Sequence, residues 1–450
     1  MPRQLHLNAF LMGTGHHEAA WRLPDSRPED TLTAEHYVRL AQLAEAGKLD
    51  SIFFADGLAV SKNVRYNAQN NLEPITLLAA IAVLTSRIGL IATASTTYHE
   101  PFQLARKFAS LDHISRGRAG WNIVTSAGED EALNFNRSAR PAHEDRYARA
   151  TEFVEVVQRL WDSWDDDARL LDKQSGIYAD TDRITPIDHV GEHFQVRGPL
   201  NIPRPVQGHP LLVQAGSSET GREYAARFAE AVFTAQQTLA EGQAFYADLK
   251  SRLAKYGRAP EDVRILPGIC AVLGGTEAEA KAKEAEINAL INPEYGVDQL
   301  SRMLEHDISG YPLDGPLPVL PGEDAISGHK SRFTLVTELA RRDDLTIRQL
   351  IQRLAGGRGH RVFAGTPEQV ADEIELWFTS GAADGFNVMP PSLPGGLEDF
   401  VEHVVPVLQR RGLFRTEYTG TTLREHYGLS RPARGGKTDK TTDDKKEYAA

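Results

Sequence analysis

The chain has 450 residues, 41% of them hydrophobic and 25% charged, with a formal net charge of −12. This is ordinary globular composition with ample material for a core, and the acidity argues against nucleic acid and anionic membrane surfaces as partners. A single cysteine, Cys270, excludes an internal disulfide and a cysteine-rich metal site. No stretch reaches the ~18 apolar residues of a membrane span, and the chain reads as cytoplasmic.

Residues 5–12 form the first strand candidate. Residues 33–47 follow with Tyr37, Leu40, Ala41 and Ala44 at helical spacing and Gly47 as a stop. Residues 51–56 (S-I-F-F-A-D) are a short buried strand ending in a carboxylate. A helix over 73–84 has Pro74 near its start, and 88–97 is again a strand. A helix over 101–115, a strand over 118–126 and a long helix over 143–164 continue the alternation. The rhythm breaks over about 165–209, a charged stretch rich in Pro and Gly that reads as an insertion. It resumes with a strand over 210–218, a helix over 219–229, a strand over 231–236 and a helix near 239–256. A strand over 265–274 and a helix over 276–290 follow. A second insertion runs over about 291–345 and contains a Pro-rich segment at 311–322. A short helix is expected over 346–354. Thr366-Pro367-Glu368-Gln369 reads as a capped helix start. That helix runs to about 380, and a last strand (385–390) and helix (397–411) close the pattern. Cys270 falls in an apolar run and reads as a buried structural thiol.

These are eight strand candidates, nearly all followed by helices. Strands that are apolar almost throughout imply a parallel sheet covered by helices. An open doubly wound sheet and a closed barrel both fit that description. No G-x-G-x-x-G opens the first helix, and eight units favour an α/β TIM (β/α)8 barrel with insertions after strand 4 and strand 7. The barrel is taken as one domain over residues 1–430, with a charged, disordered tail over 431–450.

In such a barrel the strand ends carry the chemistry. Asp56 could accept ligand hydrogen bonds or act as a base, or could cap a helix. Thr93 and the small and hydroxyl residues after it could let a flat ligand approach the backbone, or simply pack. Asn122 is a polar residue between Trp121 and Ile123 and needs a partner, either a ligand or a neighbouring strand. His143 and Tyr147 share one face at a helix start, where a phosphate would find donors and a favourable dipole; Arg146 could serve the same purpose. Gly216-Ser217-Ser218 could cradle a phosphate, or Ser218 could be a plain cap. His16-His17 lacks a third ligand at metal-binding spacing. A proton-handling role is open to His17, and His306 is a candidate of the same kind. Arg22, Arg332 and Arg358 could meet an anionic substrate or form surface ion pairs.

The segments G-T-G-H-H-E-A-A-W-R-L-P, S-I-F-F-A-D, I-A-T-A-S-T-T, L-D-H-I-S-R-G-R-A-G-W-N-I-V-T-S, A-G-S-S-E-T-G-R-E-Y-A and D-I-S-G-Y-P-L-D-G-P-L-P together resemble the bacterial-luciferase-like flavin monooxygenases. The nearest branch is that of nitrilotriacetate and dibenzothiophene-sulfone monooxygenases. The resemblance implies a two-component system in which a separate NAD(P)H:FMN reductase supplies reduced FMN. The enzyme would add O₂ to form a flavin peroxide and insert one oxygen atom into a small organic substrate. It would place Asp56, Thr93, His143, Tyr147 and Ser218 on FMN; Asn122 and Ser217 join them by position. Phe10, His17 and Phe54 would line the flavin or substrate cavity. His17 and His306 are the candidates for protonating or orienting the peroxide. A homodimer or homotetramer is also expected from the resemblance. The alternatives are a deazaflavin-dependent oxidoreductase on the related barrel and a non-catalytic flavin-binding protein.

Overall fold

Short apolar runs leave their backbone groups unsatisfied unless they pair with one another. In the computed structural model, which describes residues 3–60, 62–68, 72–126, 128–322 and 330–435, they do so in a closed ring. The strands are β1 (His6–Phe10), β2 (Ser51–Phe54), β3 (Gly89–Ser95), β4 (Ala119–Val124), β5 (His189–Val190), β6 (Gln195–Val196), β7 (Leu211–Gln214), β8 (Ala231–Thr234), β9 (Arg264–Leu273), β10 (Arg361–Gly365) and β11 (Gly385–Val388). The ring order is β1-β2-β3-β4-β7-β8-β9-β11 and back to β1, all parallel, with β8 and β9 pairing to close it. The fold is a TIM barrel. Strands β5 and β6 form a small antiparallel hairpin inside the first insertion.

Outside the first insertion, the unanticipated strand is β10. The ten residues of β9 outrun the ring: Arg264 to Pro267 pair with β8, while Ile269 to Leu273 pair with β10. The sheet therefore continues above the rim at this edge.

Helices cover the outside: α1 (Ala34–Ala46), α2 (Pro74–Ala82), α3 (Pro101–Ser115), α4 (Glu129–Leu133), α5 (His143–Trp161), α6 (Glu219–Phe228), α7 (Leu239–Arg252), α8 (Glu277–Ala289), α9 (Pro293–Leu304), α10 (Lys330–Arg342), α11 (Ile347–Gly357) and α12 (Pro367–Thr379). Caps explain several starts. The Thr33, Ser218, Thr276, Thr346 and Thr366 side chains each accept a backbone N–H of the first turn. The last helix of the sequence reading is two pieces, α13 (Gly395–Asp399) and α14 (Val405–Arg410), joined by a π turn over Phe400–Val404. Pro406 lacks the N–H that the α ladder needs there.

Side chains alternate between two cores. Phe53 on β2 and Phe233 on β8 lie 6.0 Å apart although their strands are not neighbours, so they meet across the lumen. Phe10, Ile91, Val213, Leu266, Cys270 and Met389 join that inner core. Leu7, Ile52, Phe54, Leu90, Trp121 and Leu212 face the helices.

The bottom of the lumen is plugged by the C-terminal segment with its short helix α15 (Leu423–His426). Tyr427 stacks on His6 and donates to Asn8 Oδ1 at 2.8 Å. A Cβ at Gly89 would stand 2.2 Å from Leu423 Cδ1 of the plug and 2.9 Å from the Asp50 carbonyl oxygen, a backbone atom that cannot swing aside. Asp50 beside it is fully buried and accepts from Leu7 N–H, Arg415 and His6.

The two insertions lie at opposite ends of the barrel. The first lies between the end of α5 and the start of β7, and a helix-to-strand connection belongs to the N-terminal face. Its Gln207 binds Asp112 at the end of α3, and its Arg204 pairs with Asp162 and donates to Pro432 O. Residues 431–435 are held by the same region, through Arg431–Asp166 and Arg434–Asp165 ion pairs; residues 436–450 lie outside the described residues. The second insertion is largely helical. Helices α9, α10 and α11 share a core of Leu300, Leu304, Phe333, Val336, Leu350 and Ile351 and sit on the rim beside the loop after β1.

Candidate active site

The upper lumen presents a floor of rings. Phe10 lies 4.5 Å from Phe53 and 5.5 Å from Phe233. His16 stands edge-on to Phe10 at 4.4 Å, and His360 stacks flat on Phe233 at 4.6 Å. One wall of this floor is polar. Thr93 Oγ1 donates to Phe54 O at 2.8 Å, which leaves its lone pair to accept Asn122 Nδ2 at 2.8 Å. That arrangement fixes the Asn122 amide. Its Oδ1 is buried and has no hydrogen-bond partner, so an acceptor is presented to whatever donor enters.

Next to the lumen is a corner where two helices begin. Ser218 caps α6, accepting Gly221 N–H at 3.1 Å, and hydrogen-bonds the Tyr147 phenol, which also meets Thr125. His143, the exposed first residue of α5, has its ring 4.9 Å from that of Tyr147. Ser217 Oγ lies 3.2 Å from Thr234 Oγ1. Arg146 is buried beneath the corner and donates to Ser126 O at 2.7 Å. Hydroxyls and two helix N-termini therefore converge, a setting that favours an anion.

Asp56 stands on a third side, half-buried above β2. Burial, aided by Glu73 and Glu131, pushes its carboxyl up to about 6 against the Gly57 N–H that holds it down. Thus Thr93 and Asn122 come together at the lumen, and His143, Tyr147, Ser217 and Ser218 at the helix corner. Phe10 faces the lumen. Phe54 does not: it packs outward against Tyr37 at 5.4 Å, and its neighbour Phe53 takes the inner place.

The two catalytic candidates also separate. His17 is buried in the loop after β1. Ala19 N–H donates to its Nδ1 at 3.1 Å, so Nε2 carries the proton and donates to Asn288 Oδ1 at 3.0 Å. Burial lowers its pKa to about 4, and both nitrogens are engaged, so the ring is neutral and holds α8 to the rim. His306 stays within the second insertion, where its N–H meets Ser301 O and its ring faces Tyr311 at 6.5 Å. Phe53, Phe233 and His360 are the lumen rings that the sequence reading left out. Register supplies the missing signal for Phe53, which lies directly opposite Phe10.

Comparison with known proteins decides the family. The luciferase-like monooxygenase family model matches residues 13–384. The chain belongs to the luciferase-like monooxygenase family. It is 52% identical over 431 residues to N-acetyl-S-(2-succino)cysteine monooxygenase of Bacillus subtilis (strain 168), covering 96% of this chain and 98% of that protein. It is also 52% identical over 445 residues to nitrilotriacetate monooxygenase component A of Aminobacter aminovorans, covering 96% and 97%. Among solved structures, a riboflavin lyase with modified FMN and riboflavin is 31% identical, with a TM-score of 0.84 over 95% of this chain and 96% of that one. As a luciferase-like monooxygenase the chain is an enzyme, and its lumen floor and helix corner lie at the strand ends where this fold keeps its chemistry. Among the described residues no helix is long and apolar enough to cross a membrane, and no group of three or more His, Cys, Asp or Glu side chains is arranged to hold a metal.

Proposed function

We propose that this chain is the oxygenase of a two-component system. It would bind reduced FMN, delivered by a separate NAD(P)H:FMN reductase, and use O₂ to oxygenate a small organic substrate. The observation that carries the reading is the fixed, buried and unpartnered Asn122 Oδ1 at a ring-lined lumen, beside a corner of hydroxyls and helix N-termini. A flavin ring offers N–H donors and flat faces, and its phosphate needs donors.

Phe10, Phe53 and Phe233 form the seat, and Thr93 and Asn122 orient the ring edge. His143, Tyr147, Ser217 and Ser218 hold the phosphate end, with Asp56 at the opposite margin. When bound, reduced FMN supplies the two electrons by which one O₂ atom enters the substrate and the other leaves as water. The protein's part is to exclude bulk water and aim the reacting atoms. The second insertion does this together with its flanking helices α8 and α11, which are tied to the rim by His17–Asn288, by Glu18 N–H to Ala355 O and by Gln237 Nε2 to Gly359 O. His17 is a positioning residue in this scheme.

The word "component" in the nitrilotriacetate relative's name supports a separate reductase. A cytoplasmic homodimer or homotetramer completes the proposal. Anaerobic titration with reduced FMN, oxidised FMN and a reduced deazaflavin tests it. Reduced FMN should bind, and admitting O₂ should oxidise it. Binding of the deazaflavin alone, with no O₂ uptake, would replace the reading with hydride transfer.

A further inference from the structure

A cavity of about 240 Å³ opens between the loop after β1 and the start of α9, away from the residues assigned to the flavin. Its volume is that of about eight liquid waters at ~30 Å³ each, and below the ~300 Å³ at which drug-sized pockets begin. It suits a small molecule.

The cavity walls are cationic and aromatic. Arg22 and Arg65 line it together with Trp21, Tyr66, Asn292 and Tyr295. Arg22 is held in place by a bond from Nη1 to Leu290 O, and the Arg65 guanidinium lies 5.4 Å from the Tyr66 ring centroid. Trp21 Nε1 donates to Tyr66 O at 3.0 Å, fixing the aromatic wall. Asn292 is the cap of α9, whose first turn therefore faces the space.

The acids nearby are already engaged. Glu18 is buried, hydrogen-bonded to Tyr295 and set beside Arg358, and Glu294 accepts the Tyr66 hydroxyl at 2.6 Å. Among the described residues, neither Arg22 nor Arg65 has a carboxylate partner, on a protein whose net charge is −12. Arg22 and Arg65 are both exposed, and an anion entering the cavity would meet two guanidiniums that no carboxylate neutralises. The side chain of Arg332 lies outside the described residues, and Arg358 serves Glu18.

The loop over residues 16–22 links this space to the lumen. His16 stands on Phe10, and Glu18, Ala19, Trp21 and Arg22 line the cavity. We propose that this cavity binds the carboxylate end of a small organic-acid substrate, with Arg22 and Arg65 as the specificity-determining cations. The term "substrate" rests on the monooxygenase reading; the binding chemistry does not.

Calorimetric titration of the intact protein with succinate, citrate and neutral succinamide, at low salt and without flavin, tests it. An acid should bind and succinamide should not. Arg22→Gln and Arg65→Gln should each weaken acid binding about 10-fold and together about 100-fold. Arg22→Lys, which keeps the charge, should retain most of it. Arg65 is exposed, so its variant should fold and melt as the parent does. The proposal is overturned if neither acid binds, if succinamide binds as well as succinate, or if both glutamine variants bind the acids unchanged. Failure to bind reduced FMN would sink the monooxygenase reading and leave the acid site standing; loss of acid binding alone would do the reverse.

Discussion

Asn122→Leu separates a ligand-binding role from a structural one. Asn122 is 3% exposed, and its Oδ1 makes no hydrogen bond. A buried unsatisfied acceptor costs ~1–3 kcal/mol, and the single bond from Nδ2 to Thr93 returns only ~0.5–1.5 kcal/mol. Leucine has nearly the same shape, so little cavity or overpacking follows. Thr93 keeps its bond to Phe54 O at 2.8 Å. The flavin-free variant should therefore be as stable as the parent or more stable by about 1 kcal/mol, a melting rise of roughly 1–2 °C. Affinity for reduced FMN should fall about 10-fold, the loss of one hydrogen bond to the ligand. Thermal melting and fluorescence titration read the two quantities separately. A variant destabilised by more than about 2 kcal/mol, with FMN affinity intact, would show that Asn122 serves the fold and refute the reasoning.

Three further expectations follow from buried groups. Asp56 has its carboxyl pushed up to about 6, so the folded state favours its protonated form: stability is full below pH ~4 and is lost as pH rises through 6. Asp56→Asn should raise the free energy of unfolding in urea at pH 8 by about 1 kcal/mol once solvent screening is allowed for, with no gain at pH 4. Asp50 is the opposite case. Burial works against its charge, but Arg415, His6 and Leu7 N–H outweigh it and hold the pKa at about 2, so its contribution is present above pH ~4 and fades between 4 and 2. Asp50→Asn should cost ~3–5 kcal/mol at pH 7, read by denaturant unfolding, because Arg415 is left buried beside a neutral amide. Cys270 is fully buried in the lumen and its thiol is pushed up to about 12 by burial, so a disulfide reagent should leave it untouched until the chain is unfolded.

The eight barrel strands are legible in the sequence because each is a dense apolar run, and most are followed by a helix whose start carries a capping side chain or a proline. The ninth, Arg361–Gly365, is half-exposed along most of its length, and it pairs only because β9 overshoots the ring. Which face each residue takes is less legible. Strands buried on both sides are apolar at every position, so they lack the alternation that would orient them. Hence Phe54 was expected in the cavity where the register seats Phe53. The hydroxyl and amide pair Thr93 and Asn122 could be found as polar residues in apolar strands. His360 could not, because it follows a glycine-rich loop and reaches Phe233 only through tertiary folding. The side on which the first insertion lies was available from order alone, since it leaves a helix for a barrel strand; the second also follows a helix, and lies on the rim because α12, not α8, is the helix that leads back to β11.

Isotope labelling tests the central claim most directly. The protein would be mixed with NADH, FMN, a flavin reductase and a panel of small organic acids under ¹⁸O₂, and the products weighed. The account expects one acid to gain a single oxygen atom carrying the ¹⁸O label, with one NADH and one O₂ consumed per product. A product oxidised without the label, at the same NADH cost, would contradict it.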